Sequence, residues 1–97
     1  MSELEIFIEK IKSNKDFLKN RFGVKAIGIF GSYVRGEQNS ESDVDILIET
    51  DKPVSLFDLV ELEDFLSELL GKKVDLVLRD ELKPRIGKNI LKEVAYI

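Results

Sequence analysis

Asp43 and Asp45 stand one residue apart at the mouth of the apolar run VDILIE, and Asp75 takes the same position in a second apolar run, VDLVL. An earlier run, KAIGIF, stops at Gly31 and Ser32. Carboxylates set into apolar strands are costly unless something compensates them. Two of them about 4 Å apart repel by about 4 kcal/mol at an effective dielectric near 20, so three in one partly buried spot require a positive partner. The chain contains neither His nor Cys, which removes the usual ligands of zinc-type sites. A divalent cation held by oxygen, Mg²⁺, Mn²⁺ or Ca²⁺, is the simplest neutraliser. Two such ions on a shared carboxylate set would serve an in-line phosphoryl or nucleotidyl displacement.

Three elements must position these groups. Side chains alternate along a strand, so Asp43, Asp45, Leu47 and Glu49 share one face while Val44, Ile46 and Ile48 share the other. LFDLVELEDFLSELL carries a wide apolar stripe, opened by Ser55 and Asp58 in a capping-box-like pair and closed by Gly71. This helix between the two aspartate-bearing strands favours parallel pairing, which brings Asp75 near Asp43 and Asp45. The short link from the first strand to the second lets those two run antiparallel, which sets Gly31 and Ser32 beside the aspartates. Backbone amides at such a turn can hold a phosphate, with the Ser32 hydroxyl as a further donor.

The remaining chain supplies a frame. Ser2 and Glu5 form a capping box ahead of Leu4, Phe7, Ile8, Ile11 and Leu18, an amphipathic helix interrupted near Lys15 and ending near Phe22 and Gly23. Ser32 to Arg35 reads as a helical turn closed by Gly36, and EQNSES as a polar loop. After Pro84, RIGKNILKEVAYI reads as a last helix whose tip could turn extended. The expected fold is α/β (α+β): a small mixed three-stranded sheet with helices packed on it, in a single domain spanning 1–97.

Each residue also has a plainer role open to it. Asp43 could be a turn or strand-start residue, and Asp75 could pair with Lys72, Lys73 or Arg79. Gly31 and Ser32 could be no more than a turn glycine and a helix cap. Arg35 could reach a phosphate, or pair with Glu37 or Glu41 on the surface. Tyr33 suits packing or surface better than chemistry. Spacing favours the joint reading: Gly-Ser, ten residues, then Asp-x-Asp would arise by chance in a chain of this length on the order of one time in a thousand at roughly 6% usage per residue.

Gly31-Ser32, Arg35-Gly36 and Ser42-Asp43-Val44-Asp45 resemble the signature of the polymerase-beta nucleotidyltransferase superfamily, in its minimal nucleotidyltransferase (MNT) branch. The later K-V-D-L-V strand with Asp75 and the closing I-L-K-E-V-A-Y-I extend the similarity over essentially the whole chain. Val34 departs mildly, standing where a small alanine is often seen. The resemblance implies phosphate binding at Gly31 and Ser32; Arg35 is a candidate third contact from its reach alone. It also implies Mg²⁺ ligation by Asp43, Asp45 and Asp75, with two ions, and help from Asp75 in activating an attacking hydroxyl. Minimal members resemble antitoxins encoded with HEPN-domain ribonuclease toxins, so the implied activity is AMP transfer from ATP to a toxin tyrosine. A binding module that masks its toxin without turnover, or nucleotidyl transfer to RNA or a small molecule, are the competing readings.

Composition bounds the partners. At 97 residues there is room for one core and no separate substrate domain. A net charge of −4 argues against stable nucleic-acid binding by the chain alone, since phosphate affinity comes largely from Lys and Arg. No apolar run approaches the roughly 20 residues that span a bilayer, and the N-terminus is acidic where a signal peptide would be basic. The expectation is a cytoplasmic protein with no membrane association.

Overall fold

The computed structural model describes all 97 residues. Ser2 caps the first helix, α1 (Glu3–Ser13), its hydroxyl accepting from the Glu5 N–H at 3.1 Å and donating to the Glu5 carboxylate at 3.1 Å. The interruption expected near Lys15 falls at Asn14, whose N–H closes α1 on Ile11 O while its own carbonyl accepts from Leu18 N–H to open α2 (Lys15–Phe22). Breaking the helix there re-aims the second half, so that Leu18 and Phe22 enter the same core as Phe7 and Ile11.

β1 (Val24–Phe30), the short helix α3 (Ser32–Arg35) and β2 (Val44–Thr50) form an antiparallel pair joined by a helical turn and a polar loop. α4 (Leu56–Leu70) crosses over to β3 (Val74–Leu78), which pairs with β2 in parallel. Ser55 caps α4 by accepting from Asp58 N–H at 3.1 Å, and Gly71 ends it in the left-handed conformation. A 3-10 turn (Arg79–Glu81) then leads to α5 (Pro84–Glu93), with Pro84 in the first turn, where its missing N–H costs nothing.

The sheet has four strands rather than three. The extended tip after α5 is a strand of its own, β4 (Ala95–Tyr96), antiparallel to β1 through Gly28 and Ile29 and fastened by Ile97 N–H to Ile27 O at 2.9 Å. The order is β3-β2-β1-β4, which places β1 inside the sheet. Gly28 makes this possible: a Cβ built there would lie 2.7 Å from Val94 Cγ2 and 2.9 Å from the Ala95 carbonyl oxygen.

One face of the sheet supplies Ile27, Ile29, Val44, Ile46, Ile48 and Val74 to a core completed by α1, α2 and α4 through Phe7, Ile11, Leu18, Leu62 and Leu66. Tyr33 joins this core edge-on to Phe7, with ring centroids 5.2 Å apart. The opposite face carries Asp45, Leu47 and Glu49, in the alternation expected of β2. No helix is long and apolar enough to cross a membrane.

Candidate active site

The loop before Asp43 is organised by its own polar side chains. Asn39 Oδ1 accepts from Glu41 N–H at 2.8 Å, and Ser42 Oγ accepts from Asn39 N–H at 2.9 Å. Val44 N–H then donates to Lys73 O at 2.9 Å, tying the start of β2 to the start of β3. Register does the rest: Asp45 lies opposite Phe30 on one side and opposite Asp75 on the other. Asp43 and Asp45 are half-buried, whereas Asp75 is exposed at the open edge of the sheet.

Gly31 follows directly after Phe30 and is the N-cap of α3, with φ +83° and ψ −151°. Its Cα sits so close to Asp45 that a Cβ there would fall 2.1 Å from Asp45 Oδ2. The glycine is therefore required both by its backbone angles and by the aspartate behind it. Ser32 is half-buried as the first residue of α3, and its hydroxyl makes no capping bond.

The side chains do not form a finished metal cage: no group of three or more Asp or Glu residues is placed to hold an ion. They are near enough to act on one another. Burial first, then the charges of Asp75 and Asp43, raise the pKa of Asp45 above its ordinary value, with Glu93 adding to the rise and Arg35 opposing it. Such an acid weakens the fold by ionising. Its cost is absent below the unfolded carboxylate range, near pH 4, and grows as pH rises through the higher folded value. In metal-free buffer Asp45→Asn is therefore expected to melt above the wild type near neutral pH, with the gap closing as pH falls toward about 4. Melting curves at the two pH values check this, and a gap independent of pH would show that the Asp45 charge is not the cause.

The structure shows which of the possible surface pairs form. Asp75 pairs with no cation: Arg79 lies 3.7 Å from Glu49, and Lys72 Nζ donates to Ser40 O. Arg35 does pair with Glu37, Nε to Oε2 at 3.1 Å, and not with Glu41. Its second partner, Glu93 at the end of α5, was not singled out in the sequence. Arg35 Nη1 donates to both Glu93 oxygens, at 2.6 and 2.9 Å, and Gly31 N–H donates to Glu93 Oε1 at 3.3 Å. Nothing in local periodicity marks a glutamate that meets its partners 58 and 62 residues back along the chain. Tyr33 lies under this region with its hydroxyl buried and unpartnered, and its pKa is raised by burial, then by Glu3 and Asp43.

The two roomiest depressions, each about 350 Å³, lie elsewhere, one between Glu49 and Glu81 at the far ends of β2 and β3 and one between α4 and β3. The carboxylates thus occupy an open face rather than a deep pocket. A glycine-bearing turn abutting paired strand carboxylates suits phosphate-ester chemistry on a substrate that lies across that face.

Residues 11–97 match the nucleotidyltransferase domain family. The chain belongs to that family. It is 47% identical over 97 residues to the protein adenylyltransferase MntA of Thermococcus cleftensis, a match covering 100% of this chain and 98% of that one. Among solved structures, a toxin-antitoxin crystal structure with AMP-PNP superposes with a TM-score of 0.75 at 25% identity, over 91% of this chain and 69% of the other. The fold also matches a complex of a tri-AMPylated HEPN toxin of Shewanella oneidensis with an MNT antitoxin, TM-score 0.69 at 20% identity, over 98% of this chain and 71% of the other. The chain is thus a nucleotidyltransferase, with the α+β architecture read from its sequence.

Proposed function

We propose that this nucleotidyltransferase transfers AMP from ATP to a tyrosine hydroxyl of a HEPN-type toxin, using Asp43, Asp45 and Asp75 as the acidic set and Gly31, Ser32 and Arg35 as the phosphate contacts. The observation that carries it is the position of Asp45, which abuts the Gly31 turn and lies opposite Asp75 across the strand pair. In the transfer, the acceptor oxygen attacks the α-phosphorus in line, the bond to the β-phosphate bridging oxygen breaks, and pyrophosphate departs. The acceptor proton passes to Asp75, which is exposed at the sheet edge and so open to an incoming acceptor. The Gly31 amide and the Ser32 hydroxyl orient the phosphates, and Arg35 offsets their charge.

The donor chemistry fits Mg²⁺. All three acids are hard oxygen ligands, and burial together with the charges of Asp75 and Asp43, which raise the Asp45 pKa, is the strain a cation would relieve. Asp43, Asp45 and Asp75 would hold the ion after side-chain rotation, and bound there it would supply Lewis-acid stabilisation of the phosphate charge. The openness of the face supports a macromolecular acceptor, and the HEPN toxin held by the MNT antitoxin of matching fold supports a toxin of that type.

The test is transfer itself. The protein, a HEPN toxin encoded beside it and ATP labelled at the α-phosphate are combined with Mg²⁺. Label is expected on a toxin tyrosine, located by mass spectrometry of the peptides. Label on RNA or a small molecule instead would replace the acceptor. A toxin silenced by binding with no label anywhere would leave a masking antitoxin.

A further inference from the structure

Glu93 already occupies the donors that the proposed phosphate site would offer. Its Oε1 accepts from the Gly31 amide, and both its oxygens accept from Arg35. A phosphate of a bound nucleotide would need the same two groups. We propose that Glu93 is an internal anion seated in the phosphate-binding turn, which incoming nucleotide must displace, so that this one carboxylate sets the nucleotide affinity of the site. The inference rests on the nucleotidyl-transfer reading of that turn.

Three features make Glu93 a competitor rather than a fixed support. Its charge has the same sign as those of Asp45, Asp43 and Asp75, so it adds to the repulsion that the approaching phosphates meet. Its side chain retains 24% of its exposure, so it already meets solvent. Its backbone is held by the next three residues of the chain: Val94 packs against the bare Cα of Gly28, and β4 is hydrogen-bonded to β1. Displacement is therefore a rotation of one side chain, with α5 and β4 staying in place. Arg35 keeps Glu37 as a partner throughout and exchanges one anion for another.

Titration calorimetry with a non-hydrolysable ATP analogue and, separately, with inorganic tripolyphosphate, each with Mg²⁺, tests the proposal. Glu93→Gln keeps the shape and removes the charge, and Glu93→Ala removes the contact. Each is expected to lower Kd for both probes by about tenfold, because the site no longer has to be vacated before binding. The tripolyphosphate arm must respond with the nucleotide arm, since the competition involves phosphate donors and not the base. In the absence of any ligand, Glu93→Ala is also expected to shift the Gly31 amide proton resonance. Unchanged Kd in both folded variants overturns the proposal, and weaker binding would make Glu93 a residue that positions Arg35 for the nucleotide. If neither wild type nor variants bind either probe, the phosphate site itself is refuted, and this inference with it.

Discussion

Asp45→Asn is expected to lower AMP transfer by roughly a thousandfold, the scale on which loss of a group stabilising transition-state charge acts, equivalent to about 4 kcal/mol of barrier. The substitution is close to isosteric, so the contact with the Gly31 turn and the strand pairing to Phe30 and Asp75 persist. What it removes is the charge at the middle of the acidic set, on a strand flanked on both sides and therefore rigid. Single-turnover transfer of labelled AMP measures the loss, and a melting curve on the same sample shows that the fold is intact. Transfer within about tenfold of wild type, a barrier change near 1.4 kcal/mol, would remove Asp45 from the catalytic set.

Gly31→Ala should be the most damaging small substitution in the chain. At φ +83° and ψ −151° Gly31 occupies a backbone region that is essentially closed to other residues, at a cost of about 1–3 kcal/mol. The added Cβ would also meet Asp45 Oδ2 at 2.1 Å and Asp45 Cγ at 3.0 Å. Either Asp45 leaves its rotamer or the turn opens, and both outcomes dismantle the site. A fall in Tm of at least about 8 °C is expected from the scale of 4–8 °C per kcal/mol for domains of this size, together with loss of nucleotide binding. Gly36→Ala is the control: Gly36 has φ +72° but nothing within 4 Å of its would-be Cβ, so it should carry only the left-handed penalty of about 1 kcal/mol and keep binding. Equal effects at the two glycines would show that the contact with Asp45 does not matter.

The identity of the chemistry was legible because it is written in short-range patterns. The strict alternation of VDILIE puts Asp45 on the face opposite Val44, Ile46 and Ile48 in any strand that buries those three. The stripe of α4 favours a crossover and hence a parallel β3, and the register found brings Asp75 level with Asp45. Caps at Ser2, Ser55, Gly36 and Gly71 form where their residue types place them.

Other features arise only when distant segments meet. A two-residue strand has no period to detect. β4 exists because β1 offers an unpaired edge and Gly28 leaves room above it, and neither fact is visible near Ala95 and Tyr96 in the chain. Glu93 looks like one more surface charge at a helix end until β4 delivers it to Gly31 and Arg35. Asn14 divides the first helix because two directions, not one, bring Phe7, Ile11, Leu18 and Phe22 into the same core. The sequence alone therefore determined which groups face which way, since facing depends on local periodicity. Tertiary structure decided which of them touch, because contact depends on packing between segments that local patterning does not encode.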